Sequence, residues 1–276
     1  MFVIIKQKHF IKKFMKNTFK ISIITATYNN IQFLPGLLGS IHDQTYSSIE
    51  HIIIDGGSSD GTVETLKQCN LISHFISEPD YGIYDALNKG LRIATGDIIG
   101  FLHSDDLFAL PQTIENIVQA FATPLAGKGS TPDVVYGDLV FVDQHDSDKI
   151  IRFWKSQTFN RRLLHQGWMP PHPTVFMLRG VYEKHGFFDI NLKCSADYDY
   201  ILRVFQDKAL TVSYLPQVIT KMRVGGMSTS GFSNIINKKK EDYWVLKKNK
   251  MKFPLWILLA KNFTKIPQYF FKEKNS

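Results

Sequence analysis

Four short apolar runs in the first hundred residues each end in a polar cluster. Ile21-Ser22-Ile23-Ile24 leads into Thr25-Ala26-Thr27-Tyr28-Asn29, and His51-Ile52-Ile53-Ile54 leads into Asp55-Gly56-Gly57-Ser58-Ser59-Asp60-Gly61-Thr62. Phe75-Ile76-Ser77 runs into Glu78-Pro79-Asp80-Tyr81-Gly82, and Ile98-Ile99-Gly100-Phe101-Leu102 into His103-Ser104-Asp105-Asp106. Runs this short and this apolar predict buried strands. Between them, apolar residues recur at helical spacing: Phe33, Leu37, Leu38 and Ile41, then Val63 and Leu66, then Ile83, Ala86, Leu87 and Leu91. Strand alternating with helix predicts βαβ units and a mostly parallel sheet. In such sheets ligands bind beyond the carboxyl ends of the strands, so four polar strand ends in succession point to a single site.

The chemistry of that site is set by what is missing as well as by what is there. No Gly-x-x-x-x-Gly-Lys-Ser/Thr occurs, and no Gly-x-Gly-x-x-Gly follows a strand, so backbone cradling of phosphate is not the main device. Asp105 and Asp106 would repel each other at a strand end unless a cation sat with them, and a divalent metal there would neutralise a diphosphate. Carboxylate and phosphate oxygens are hard ligands, which favours Mg²⁺ or Mn²⁺ over Zn²⁺. The nine histidines form no His-Glu-x-x-His, and no paired Cys-x-x-Cys is present. A plainer reading makes Asp106 a helix cap, since Pro111 and the pattern Thr113, Ile114, Ile117, Val118, Phe121 follow it.

Taken together, Thr25 to Asn29, Asp55 to Thr62, Glu78 to Gly90, Ala94-Thr95-Gly96-Asp97 and Phe101 to Asp106 resemble the glycosyltransferase family 2 pattern on a GT-A fold. The likeness runs from about residue 20 to about residue 230. Its sub-pattern is similar to enzymes of bacterial capsular and exopolysaccharide assembly, of the colanic-acid type. The resemblance implies a nucleotide diphosphate sugar donor, with Thr25, Thr27 and Asn29 lining the nucleotide pocket and Asp55 accepting a hydrogen bond from the base. It places Asp80, Asp85 and Asn88 on the donor side too, and assigns Asp106 to the metal and Asp105 to metal or ribose. Two positions depart from the pattern: His103 stands where many relatives carry a first Asp, and Gly56 where a second Asp is common.

The second half reads as the acceptor side. Ser195-Ala196-Asp197-Tyr198-Asp199-Tyr200-Ile201-Leu202-Arg203-Val204 starts a helix with Ile201, Leu202 and Val204 facing the core, and its acids would serve equally as caps. In the family, an acid opening this helix takes the proton from the acceptor hydroxyl, and Asp197 falls on that position. Asp199 is then an acceptor-side support, paired along the helix with Arg203. Prolines 170, 171 and 173 hold an extended segment that brings His172 to the cleft. Arg223 precedes Gly225-Gly226, a loop able to close over bound donor beside its phosphates.

At 276 residues and 44% hydrophobic, the chain can bury one large core. The expected layout is a basic extension at 1–19, a GT-A domain at 20–230 with a nucleotide half (20–110) and an acceptor half (111–230), and a basic amphipathic helical tail at 231–276. Cys69 and Cys194 lie far apart in sequence, which suits a reducing cytoplasm.

Charge is distributed unevenly. Residues 1–20 hold six lysines and no acid, and residues 238–276 hold eleven lysines against three acids; these ends total +14 of a net +8, leaving −6 between them. An acidic body disfavours a nucleic-acid partner, and the basic ends suit an anionic membrane surface. The run Phe253 to Ala260 is too short to span a bilayer, which takes about 20 apolar residues. It fits an interfacial segment, with Trp256, Leu258, Leu259 and Phe270 inserted, or a helix packed on the domain. Phe2 to Ile5 is too short for a secretion signal.

The reading is an inverting, non-processive transferase, peripheral on the inner face of the membrane, that glycosylates a lipid-linked oligosaccharide in surface polysaccharide synthesis. Its rivals are a sugar nucleotidyltransferase, disfavoured by a loop Thr27-Tyr28-Asn29-Asn30 lacking Gly, Lys and Arg, and a non-catalytic sugar-binding scaffold on the same fold.

Overall fold

In the computed structural model, residues 19–127, 129–225 and 232–263 are described. Most of the basic N-terminal extension, the loop after Gly225 and Phe270 lie outside them. The first half is built as its periodicity demands. Strands β1 (Ile21–Thr27), β2 (Ile49–Asp55), β3 (His74–Ser77) and β4 (Ile98–Phe101) alternate with helices α1 (Leu34–His42), α2 (Thr62–Lys67) and α3 (Ile83–Ile93). β1 pairs in parallel with β2 and β4, and β2 with β3, so the strands lie in the order β3-β2-β1-β4. β1 is buried along its whole length because helices cover both faces of a parallel sheet, which is why it reads as an unbroken apolar run.

The chain then changes habit. A short strand β5 (Asp106–Phe108) and helix α4 (Thr113–Ala122) lead to β6 (Val134–Val142) and β7 (Ile150–Trp154). Strand β8 (Phe176–Leu178), helices α5 (Arg179–His185) and α6 (Ala196–Phe205), and strand β9 (Val212–Arg223) follow. β8 runs antiparallel between β4 and β6, β9 runs parallel to β6, and β5 closes the sheet against β9. Among the described residues one nine-stranded sheet results, with an all-parallel donor half and a mixed second half. Asp106 opens β5, and α4 begins only at Thr113, so Asp106 does not cap that helix.

The rim of the sheet opposite the polar strand ends is tied by a buried carboxylate. Glu50 accepts from Ser22 Oγ and Lys20 Nζ, each at 2.5 Å, and from the Thr95 backbone and hydroxyl at 2.8 and 2.6 Å. Burial would raise its pKa, but these donors outweigh it and hold the carboxyl at about 2. A carboxyl whose folded pKa is depressed stabilises the protein above its unfolded value and loses that contribution as pH falls toward the folded one. Glu50→Gln should therefore lower the neutral-pH melting temperature by a few degrees and flatten the loss of stability between about pH 4.5 and 2, as read by thermal melts across pH.

The C-terminal helices α7 (Phe232–Lys248) and α8 (Pro254–Phe263) belong to this core. Val245, Leu246, Met251 and Ile257 are buried in the same apolar cluster as Trp168, Tyr198 and Phe205. Gly167 makes the seat for α8: at φ +71°, a Cβ there would lie 2.6 Å from the Ile257 carbonyl oxygen. The outer face of α8 and the turn before it is different, with Phe253, Leu255, Trp256 and Leu259 exposed at 76%, 66%, 65% and 57%. Of the two placements open to this segment from sequence, the structure shows one side packed on the domain and the other side apolar and bare.

Candidate active site

The polar strand ends meet at the carboxyl rim of β1, β2 and β4. At the end of β2 the Asp55 carboxylate is held by its own loop: the Gly57 and Ser58 amides donate to Oδ2 at 3.0 Å, Ser77 Oγ at 2.7 Å, and Ser58 Oγ donates to Oδ1. The loop around it is pinned to the end of β1 by Asn29, whose Oδ1 accepts from the Ser59 amide at 2.8 Å. Asn29 adopts a left-handed φ of 47°, the conformation an Asn tolerates better than most residues at a tight strand end. Gly56 now has a physical reason: a Cβ there would lie 2.7 Å from Asp80 Oδ2, so the space a second Asp would need is taken by another carboxylate. Asp80 in turn accepts the Gly82 amide at 2.8 Å and so shapes the entry to α3.

Several residues expected on the donor side are spoken for structurally. Thr25 is fully buried, donating to the Leu102 carbonyl at 2.7 Å with His51 Nε2 3.0 Å away. Asn88 is buried and exchanges two 2.9 Å hydrogen bonds with the Phe188 backbone, clamping α3 to the chain after α5. Asp85 lies in the first turn of α3, 3.4 Å from Lys89 Nζ. Thr27 differs, since its hydroxyl is buried with no hydrogen-bond partner among the described residues.

Asp105 and Asp106 sit where β4 turns into β5. Asp105 is half-buried at the rim and Asp106 is fully buried beneath it. Both carboxylate oxygens of Asp106 lack a hydrogen-bond partner among the described residues. Burial, and then the Asp105 charge, push its pKa well above the usual carboxylate range against the pull of Arg223. An orphaned buried carboxylate beside a second, accessible one suits a hard divalent cation, because a group left unpaired in this way is costly. No cluster of three or more His, Cys, Asp or Glu assembles among the described residues, so a cation here would complete its shell with ligand oxygens and water, as Mg²⁺ and Mn²⁺ do. Arg223, at the end of β9, donates to the Asp105 carbonyl at 3.2 Å and to the Gln144 carbonyl at 3.1 Å, and its guanidinium lies over the Phe33 ring. It therefore braces the aspartate turn.

The second side of the site is the start of α6. Asp197 is half-buried; its Oδ1 accepts the Tyr198 amide at 2.8 Å and the Tyr84 hydroxyl at 3.2 Å. His172, on a 3-10 turn at His172–Thr174, stacks on Phe101 with centroids 5.4 Å apart and lies 6.4 Å from the His103 ring. Burial pushes the His172 imidazole down to about 4, overriding the pull of Asp197, and burial likewise lowers His103. Burial would raise Asp197, yet the positive field of His172, Lys238 and Lys261 and the Tyr198 amide bring it below the ordinary value. Lys238 on α7 and Lys261 on α8 bring positive charge toward Asp197, and burial lowers the pKa of the Lys261 ammonium against the pull of Asp242.

Asp199 is not part of this group. Lying two residues further along the helix, it is buried among Arg203 Nε at 3.0 Å, Lys248 Nζ at 3.2 Å and Asn249 Nδ2 at 2.8 Å, where it ties α6 to the C-terminal helices. Sequence reasoning did not single out Tyr84, and it read Lys238 and Lys261 as part of the basic, interfacial tail and not as neighbours of Asp197. Tyr84 was signalled only by its place inside Gly82-Ile83-Tyr84-Asp85-Ala86, and nothing in the sequence relates a lysine 64 positions downstream to Asp197.

The strand order, the paired aspartates at one strand end and the carboxylate opening a helix across the cleft define a glycosyltransferase of the GT-A fold. Residues 22–186 match glycosyl transferase family 2, and the chain belongs to that family. It is 33% identical over 189 residues to an uncharacterized glycosyltransferase of Mycobacterium tuberculosis, covering 66% of this chain and 68% of that one. It is 30% identical over 224 residues to the PGL/p-HBAD biosynthesis glycosyltransferase of Mycobacterium bovis BCG, covering 76% and 79%. Among solved structures, S. aureus TarS matches with a TM-score of 0.65 at 17% identity over 93% of this chain, which spans 46% of the TarS chain. TarS 1–349 in complex with UDP-GlcNAc gives 0.64 at 18% identity, covering 83% and 65%. The mannosyltransferase PcManGT from Pyrobaculum calidifontis, in complex with GDP-Man and Mn²⁺, gives 0.62 at 18%, covering 92% and 74%. At such identities these structures speak to the fold.

Proposed function

We propose that this glycosyltransferase is inverting and non-processive, moving a sugar from a nucleotide diphosphate sugar to a hydroxyl of a lipid-linked glycan during surface polysaccharide synthesis. The observation that carries the reading is Asp197. Both of its hydrogen bonds fall on Oδ1, so among the described residues Oδ2 is left to meet an acceptor hydroxyl. In a single displacement Asp197 takes the hydroxyl proton, the acceptor oxygen bonds to the anomeric carbon, and the bond from that carbon to the diphosphate oxygen breaks with its electron pair. Tyr84 and the Tyr198 amide orient the carboxylate. His172 and His103, both neutral, line the gap between it and the aspartate turn. Asp105 and Asp106 would hold Mg²⁺ or Mn²⁺, which when bound neutralises charge on the departing diphosphate.

Nucleotide preference is where the relatives help, since neighbours of this fold bind UDP-GlcNAc, UDP and GDP-Man. The test is a screen of UDP- and GDP-sugars with Mn²⁺ for binding and slow hydrolysis, followed by assignment of the product anomer by NMR. Retention of the donor's anomeric configuration would overturn the single-displacement reading, and no donor binding at all would overturn the transferase reading of this site.

The membrane side of the proposal rests on α8. A groove of about 350 Å³ lined by Lys239, Lys240, Tyr243, Leu255 and Leu258 adjoins the exposed Trp256 and Leu259, an apolar floor with a cationic rim. No helix among the described residues is long and apolar enough to cross a membrane. Leu255→Ser, Trp256→Ser and Leu259→Ser together should weaken binding to vesicles of acidic phospholipid by more than about tenfold and leave donor hydrolysis in solution unchanged. These surface changes are the sound test. Deleting residues 250–276 would strip Met251 and Ile257 from the core, and emptying such a site costs about 2–5 kcal/mol per large side chain. Unaltered vesicle binding by the triple variant would remove α8 from the membrane reading.

A further inference from the structure

The inner face of α8 reaches the start of α6. Lys261 Nζ lies 2.8 Å from Asp242 Oδ2 on α7, and the pair is almost wholly buried. The same Asp242 accepts from Ser195 Oγ at 2.8 Å through Oδ1, and Ser195 is the N-cap residue of α6. Lys261 Nζ also sits 3.6 Å from the centroid of the Tyr198 ring, and the Tyr198 amide is one of the two donors to Asp197. Residues on both C-terminal helices thus touch Ser195 and Tyr198, which flank Asp197 in the first turn of α6.

Nothing in such an arrangement is required for packing alone. A buried ion pair is a weak stabiliser, because desolvation of the two charges offsets their attraction, and apolar residues of similar size would fill the space as well. Without Lys261, however, Asp242 would present a bare negative charge to the neighbourhood of Asp197. The groups that act on Asp197 from the elements around it are Tyr84 on α3, His103 and His172 across the cleft, Cys194 before α6, Lys238 on α7 and Lys261 on α8, while Asp242 and Glu241 on α7 act on the residues that flank it, Ser195, Tyr198 and Cys194. Two carboxylates of α7 border the first turn of α6: Glu241, which accepts from the Lys193 and Cys194 amides at 3.0 and 2.8 Å, and Asp242, the one that Lys261 pairs with.

We propose that Lys261 is a positioning residue for the reaction: by pairing with Asp242 and covering Tyr198 it fixes the first turn of α6 and keeps the Asp197 carboxylate from feeling an unopposed neighbouring charge. The inference rests on Asp197 being the base. It makes the C-terminal helices, whose outer side is bare and apolar, part of the catalytic centre through their inner side.

The experiment follows the Asp197 side-chain carboxyl by ¹³C NMR across pH in the full chain, with Asp197→Asn supplying the assignment. Lys261→Met should raise the Asp197 midpoint by about one pH unit, since a nearby like charge is no longer compensated. Lys261→Arg should restore the wild-type midpoint. Asp242→Asn alone should move the midpoint down or leave it in place, and Lys261→Met combined with Asp242→Asn should return it toward wild type. If Lys261→Met does not fold, Lys261→Gln, which keeps a polar partner for Asp242 but no charge, carries the same expected rise. A midpoint that ignores all of these, with only melting temperatures changing, means Lys261 is structural and overturns the proposal. The base reading fails separately, by wild-type turnover in Asp197→Asn, whatever the titrations show.

Discussion

Asp197→Asn is expected to lower sugar transfer by about 10² to 10⁴-fold while donor affinity stays within a few-fold of wild type. Loss of a general base costs that much because the hydroxyl must then lose its proton to water as it attacks. Asn keeps the shape of the side chain and its Oδ1 can still accept from Tyr84 and the Tyr198 amide, so α6 should begin as before. Donor binding is spared because the groups proposed for the donor side, Thr27, Asp55 and the Asp105–Asp106 turn, lie on other elements. Transfer by Asp197→Asn at the wild-type rate would move the base elsewhere. His172 is then the next candidate by position, although burial, which lowers its imidazole to about 4, makes it a weak base.

Much of the donor half was legible because β1, β2 and β4 are buried on both faces and its helices on one. A run such as Ile52-Ile53-Ile54 can only be an interior strand once Asp55-Gly56-Gly57 ends it, and the structure pairs it in parallel as expected. The second half was harder to read for an equally physical reason. β8 is three residues long and runs antiparallel to both neighbours, and β5 is three residues long and joins the sheet through β9, more than a hundred positions away. Strands that short carry no periodicity.

Charge misled in a more instructive way. Lysines 238–240, 247, 248, 250 and 252 invite the picture of a solvated basic tail, and several of them are indeed exposed, but Lys248 reaches a buried carboxylate and Lys261 is itself buried. A lysine is placed inside or outside by its partner, and the partners here, Asp199 and Asp242, are fixed by tertiary folding. The same holds for Asp199, which helix spacing paired correctly with Arg203 but which two further-reaching contacts, to Lys248 and Asn249, remove from the cleft.

Asp106→Asn should abolish the metal dependence of donor binding, with affinity for a UDP- or GDP-sugar in Mn²⁺ falling at least about 100-fold, since loss even of groups that only support a metal ligand costs 10- to 100-fold. The fold should survive without penalty. Asn fills the volume of Asp, so no cavity opens in β5. The substitution also removes a carboxylate that is fully buried with both oxygens unpartnered among the described residues, so the metal-free variant should melt no lower than metal-free wild type. Asp105→Asn offers the contrast: Asp105 is half-buried at the rim, so this variant should lose metal-dependent binding without a gain in metal-free stability. Thermal melts with and without Mn²⁺ and nucleotide read all of these at once. A wild-type rise in melting temperature on adding Mn²⁺ and UDP to Asp106→Asn would show that the cation is held without this carboxylate. Donor binding by the wild type that is indifferent to chelation would remove the metal from the site altogether.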